Sequence, residues 1–219
     1  MFLVHRWVYD VPQILHRDLS QGNIMIRRDS KGRYRGVLND WDLSSHLKDI
    51  GQGATSHFRT GTRPFMAHEL HLTGPDGPPM HRYRHDLESL FFIMVLLFCR
   101  NTLNSDASSE GPLRPYHVEG FKAWDSRNDV DLNTVKYGFL SRECNASPLP
   151  GFEPFRHWMK CLHQIFFNGL TLKNMRIMMG EDDPALMLNN VTYDAFFAVM
   201  APFKHTPKSA PLIVTYAPS

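Results

Sequence analysis

The chain has 219 residues, 42% of them hydrophobic and 21% charged, with a formal net charge of +2. That length supplies one sizeable core, read as a single domain over residues 1–201 followed by a Pro-rich tail, 202–219, expected to be disordered. A near-neutral balance with no basic stripe excludes an electrostatic nucleic-acid footprint. Three cysteines, none in a C-x-x-C pair, exclude a disulfide framework or a cysteine zinc site.

The first 15 residues read as the end of a helix running into a tight loop, with Pro12 at the boundary. Residues 24–26, Ile-Met-Ile, form a short strand. A polar turn around residues 29–32 and a returning strand at residues 36–38 complete a hairpin. Residues 43–64 are rich in Ser, Thr and Gly and read as a loop. Helix signals around residues 69–72 are weak, and residues 74–79 (GPDGPP) form a turn-rich insertion. Asp86 then opens the most apolar helix of the chain, with an acidic residue in its first turn.

The apolar run at residues 90–99 is shorter than the ~18 residues of a membrane span, and the apolar start is broken by His5 and Arg6. With no membrane or secretion signal, an intracellular location, cytoplasmic or nuclear, is expected. Residues 101–111 read as a polar, mobile loop. Phe155, Trp158, Met159, Leu162, Ile165 and Phe166 recur at helical spacing and predict a helix that buries that face. Thr192 is placed to cap a last helix through Phe196, Phe197 and Met200.

The chemistry is concentrated early. His16-Arg17-Asp18-Leu19-Ser20-Gln21-Gly22-Asn23 fits H-R-D-x-x-x-x-N. In phosphoryl transfer a carboxylate orients the acceptor hydroxyl, and an amide oxygen five residues on binds a metal from the same loop. Asp40, in Asn39-Asp40-Trp41-Asp42, supplies a second hard oxygen ligand suited to magnesium. Residues 61–69, Gly-Thr-Arg-Pro-Phe-Met-Ala-His-Glu, follow at the separation expected of the end of an activation segment. Asp86, in His85-Asp86-Leu87-Glu88-Ser89-Leu90, heads the apolar helix. Each piece alone is weak; four in this order carry the reading.

The stretches HRDLSQGNIM, GVLNDWDLS, TGTRPFMAHEL and YRHDLESLFFIM resemble the fungal-type protein kinase family. The resemblance is specific from His16 to Phe98, looser around Trp124 and residues 136–140, and faint beyond Gly151. It implies an α+β, mainly helical fold: the C-terminal lobe of a protein kinase with a short β-hairpin at the catalytic loop. It also implies transfer of the ATP γ-phosphate to Ser or Thr hydroxyls of a protein substrate, with Mg2+. In that frame Asp18, Arg17 and His16 are catalytic, and Asn23 and Asp40 are metal ligands. Thr60, Thr62 and Glu69 belong to the activation segment, with Thr62 expected to hydrogen-bond near Asp18. Ser44, Ser45, Thr55, Ser56 and Thr60 are candidate phosphosites for which Arg17 is the partner. Asp86 supports the catalytic loop.

Three departures stand out. Ser20 occupies the position of the usual lysine, removing one cation from the transition state. Asp42 replaces the glycine after the metal-binding aspartate. No G-x-G-x-x-G precedes His16, so the N-terminal lobe is expected to be absent. The chain by itself is then expected to be catalytically silent, with an apolar face covered by a partner or by that lobe. Two alternatives stay open. Asp40-Trp41-Asp42 also suits a small-molecule phosphotransferase of the aminoglycoside or choline kinase kind, and the missing nucleotide contacts suit a non-catalytic pseudokinase remnant. His68, His71, His81 and His85 read as solvated or hydrogen-bonded histidines rather than a metal site. Asn145-Ala146-Ser147 reads as a loop.

Overall fold

The computed structural model describes residues 2–50, 61–72, 79–103, 113–115, 119–181 and 190–200. The tail at 202–219, Thr55, Ser56 and Thr60 lie outside the described residues. The described part is mainly helical, with three two-stranded antiparallel sheets, in keeping with an α+β kinase-like fragment. In chain order the elements are α1 (Phe2–Asp10), β1 (Ile14–Leu15), β2 (Ile24–Arg28), β3 (Tyr34–Leu38) and β4 (Ser45–His46). Then come α2 (Tyr83–Arg100), β5 (Asn101–Leu103), β6 (Leu113–Pro115), α3 (Asp129–Leu140), α4 (Arg156–Met178) and α5 (Tyr193–Met200).

Helix α2 is the axis of the core. Leu87, Phe91, Phe92 and Val95 are wholly buried, as are Leu140, Leu162, Phe166 and Phe196 of the same cluster. Such side chains contribute roughly 1.5–3 kcal/mol each on burial. Phe91 stacks on Phe166 at 5.3 Å, and Phe92 meets Trp124 edge-on at 5.0 Å, geometries that suit the ring quadrupole. The helix begins at Tyr83, three residues before Asp86. The chain turns in at Arg82, whose carbonyl accepts the His85 N–H and whose own N–H donates to His85 Nδ1. Asp86 therefore sits inside the first turn rather than opening the helix.

Helix α4 buries Met159, Leu162, His163, Phe166, Gly169 and Leu170, the i, i+3, i+4, i+7 stripe expected of a helix packed on one face. Thr192 caps α5: its Oγ1 accepts the Ala195 N–H at 3.1 Å. The hairpin is longer than its apolar residues imply, pairing Ile24 with Leu38 through to Arg28 with Tyr34. Its turn is closed by the Asp29 carboxylate, which accepts from the N–H groups of Lys31 and Arg33, an Asx-type substitute for backbone pairing.

Two elements differ from the sequence reading, and a third falls where that reading predicts none. Ser45 and His46, in what reads as loop, pair with Leu15 and Ile14. Asn101–Leu103 pairs with Leu113–Pro115. Helix α3 forms although residues 129–140 carry Val, Thr, Tyr, Phe and Gly138, all poor helix formers. Its start explains it: the Asn128 side chain accepts from the N–H groups of Val130 and Asp131, and Asp129 and Asp131 complement the dipole. Among the described residues no helix is long and apolar enough to cross a membrane.

Candidate functional site

The loop between β1 and β2 carries the H-R-D-x-x-x-x-N residues, and its backbone is unusual. Arg17 has φ 69° and Asp40, beyond the hairpin, has φ 59°. Left-handed conformations at non-glycine residues persist only where the surroundings impose them, and they gather at functional sites. Here the surroundings are visible. His16 is wholly buried; its Nδ1 accepts the Asp18 N–H at 3.3 Å, and its Nε2 faces the Asn39 carbonyl at 3.0 Å. The backbone donor at Nδ1 places the ring proton on Nε2. Burial lowers the His16 pKa, keeping the ring neutral. The Asn39 N–H in turn donates to the Asn23 carbonyl at 2.9 Å. One neutral imidazole and one residue, Asn39, thus tie Asp18, Asn23 and Asp40 into a single assembly.

Asp18 is half-buried, and its carboxylate is held from two sides. Oδ1 accepts from the Thr62 N–H at 2.8 Å and the Thr62 hydroxyl at 2.9 Å. Oδ2 lies 3.4 Å from Asn23 Nδ2, which also donates to the Asp18 carbonyl at 2.9 Å. The donor side of the Asn23 amide is committed to Asp18, so its acceptor side is the one a cation would use. Asp40, one residue beyond Asn39, is exposed. Among the described residues no group of three or more His, Cys, Asp or Glu side chains is arranged around a metal. An amide oxygen and a carboxylate nevertheless fit magnesium, which takes one or two protein oxygens and completes its shell with phosphate and water.

Gly61 permits the approach of Thr62. Its φ is +126°, and a Cβ there would lie 3.4 Å from the Arg17 carbonyl and 3.3 Å from Met66 Cε, so both conformation and space favour glycine.

The remaining sequence-selected residues lie deeper. Arg17 is buried and turned away from the Asp18 carboxylate, its Nη1 donating to Ser45 Oγ at 2.6 Å. Asp86 is 1% exposed and accepts from His5 at 2.9 Å, from His81 at 2.8 Å and from the Arg17 N–H at 3.4 Å. Burial alone would raise its pKa; the His81 and His5 rings outweigh that and hold the carboxyl well below the usual range.

Glu69 is buried against Arg84 and His85, with Lys173 Nζ at 2.5 Å. Burial opposes its charge, but the His85 hydrogen bond and the Arg84 charge win, so the carboxyl titrates far below normal. His85 stays neutral, pushed down to about 3 by burial and by Arg84. With Arg82 N–H on Nδ1, its Nε2–H donates to Glu69. The four histidines of residues 68–85 thus each face a carboxylate: His68 meets Glu88, His71 Asp129, His81 Asp86 and His85 Glu69. His5, Arg84 and Lys173 escape sequence reasoning because the acids they serve are up to 104 positions away.

Comparison with known proteins follows this geometry. Residues 3–98 match the family model described as fungal protein kinase. Sperm motility kinase 1 of Mus musculus is 33% identical over 119 residues, which is 54% of this chain and 22% of that protein. The chain thus spans about a fifth of the length of that relative. The matched stretch runs from α1 through the loop of Asp18, the hairpin and the buried acids to near the end of α2, and over it the chain is kinase-like, similar to the fungal protein kinases.

Proposed function

We propose that residues 1–201 form the C-terminal lobe of a protein kinase that transfers the γ-phosphate of ATP to Ser or Thr hydroxyls of a protein substrate. Asp18 accepts or orients the proton of the incoming hydroxyl. Asn23 and Asp40 hold Mg2+, which neutralises charge on the phosphates when bound. The observation that carries this reading is the double hydrogen bond from Thr62 to the Asp18 carboxylate. It couples the proposed base to the segment ending at Glu69, where a protein substrate would lie. A phosphotransferase for small molecules does not require that coupling.

Exposed apolar side chains support a covered face. Leu3 and Trp7 lie at i, i+4 on α1, Val11 follows just beyond its end, and Met25 and Ile26 stand out from the hairpin, each more than half exposed. A nucleotide-binding lobe, or a partner protein, is proposed to cover them.

The reading is tested by joining residues 1–219 behind a glycine-rich nucleotide-binding lobe and measuring magnesium-dependent phosphate transfer to a generic Ser/Thr protein. Asp18→Asn should lower turnover by roughly 10²–10⁴-fold, the usual contribution of a positioned acid–base group. Turnover unaffected by that change would sink the assignment.

A further inference from the structure

One fully buried cation of the fold is one that the kinase reading does not call for. Lys136, in the middle of α3, is 0% exposed. A buried ammonium is expensive unless every N–H finds a partner, and here all three do. Nζ donates to the Arg63 carbonyl at 2.7 Å, to the Met66 carbonyl at 2.6 Å and to His71 Nε2 at 3.0 Å. The Phe92 and Trp124 rings lie 5.2 and 6.0 Å away, within cation–π range. Burial, only partly offset by Glu88 and Asp129, lowers its pKa to about 7.

The partners explain the arrangement. Two of the three are backbone carbonyls of the turn that follows Thr62, in which Phe65 and Met66 N–H groups return to the Thr62 carbonyl at 2.9 and 3.0 Å. The rest of the same α3 face grips the same segment. The Arg63 guanidinium meets Asp129 at 2.6 Å, and Asn133 Nδ2 donates to the His68 carbonyl at 2.9 Å. Residues 129, 133 and 136 are at i, i+4, i+7, one side of a helix. Thr62 in turn holds Asp18. A hydrocarbon side chain of similar size would fill this space without a charge, but it would leave two carbonyls without their donor.

We propose that Lys136 is a positioning residue: it fixes the turn at residues 62–66 on α3, so that Thr62 holds the Asp18 carboxylate. This deepens the phosphotransfer reading, on which the meaning of Asp18 rests.

The test measures backbone amide hydrogen exchange by NMR on the 219-residue chain and its Lys136→Met variant. The Thr62, Phe65 and Met66 amides should exchange at least about tenfold faster in the variant, while Phe91 and Val95 in α2 stay within about twofold. Unchanged Thr62, Phe65 and Met66 amides would overturn the proposal. So would acceleration of all five amides together, which would make Lys136 an ordinary core residue. If Lys136→Met does not fold, Lys136→Gln is read in the same way, and loss of fold in both also overturns it. Exchange needs neither ATP nor turnover. Lys136-dependent protection in the 219-residue chain, with no phosphotransfer by the chain joined to a nucleotide-binding lobe, would therefore discard the kinase reading and leave the role of Lys136 standing.

Discussion

Asp18 and Asp86 are both aspartates that receive N–H groups, and their surroundings could hardly differ more. Asp18 lies in a loop whose neighbours adopt left-handed backbone angles, half-open to solvent, held by one threonine and one asparagine. Asp86 lies inside the first turn of the central helix, sealed from solvent, between two histidines and a backbone amide. In the proposed phosphotransfer the first meets the substrate; the second, like Glu69 and Glu88, joins separate elements of the fold. A kinase-like fold that carries out the proposed transfer uses both kinds of carboxylate, and the contrast shows how the division is made. The charge proposed for chemistry sits on a strained loop at the surface, while the supporting charges are buried against histidine and arginine partners.

The contrast breaks most visibly at Glu69. Glu69→Ala leaves Arg84, itself 3% exposed, without its carboxylate. Breaking a buried pair by removing one partner costs ~3–5 kcal/mol. Guanidinium unfolding followed by the fluorescence of buried Trp124 should show that loss. A loss below about 1 kcal/mol, the range of exposed pairs, would mean that Glu69 is solvated after all.

A smaller effect sharpens the same contrast through pH. His85 is neutral in the fold, with a pKa of about 3 against 6.5 for a free histidine. Between those values the unfolded chain binds a proton that the native ring refuses. Stability from this residue is thus present above pH 6.5 and is lost as pH falls. The loss between pH 7 and pH 5 is about 2 kcal/mol for a shift of this size. His85→Gln should remove that increment, leaving a shallower acid slope in denaturation midpoints measured at the two pH values. Equal slopes in both proteins would place His85 in contact with water.

Which parts of this were legible in the sequence follows from how local each signal is. The hairpin, α2, the α4 stripe and the Thr192 cap are written in neighbouring residues: alternation, a 3.6-residue period, a hydroxyl ahead of a helix. The loop from His16 to Asn23 is legible because five residues separate Asp18 from Asn23 along one tight turn. The β1–β4 pair is two residues long on each side and has no periodicity to read. Helix α3 hides because its buried face carries Lys136, which a hydropathy pattern counts as solvent-facing. The partners of Glu69 and Asp86 come from α1, α2 and α4, so only the packed chain brings them together.

The central claim is that Asn23 and Asp40, beside Asp18, meet one metal-bound phosphate. Titrating Mn2+ with ATP into the 219-residue chain at millimolar concentration, and reading paramagnetic broadening of assigned NMR resonances, addresses it without needing turnover. The resonances of Asn23, Asp40 and Asp18 should broaden first and together, and Asp40→Asn should abolish the effect at all three. Broadening that begins elsewhere, at Asp29 of the hairpin turn for instance, and leaves Asn23 and Asp40 sharp would contradict the account.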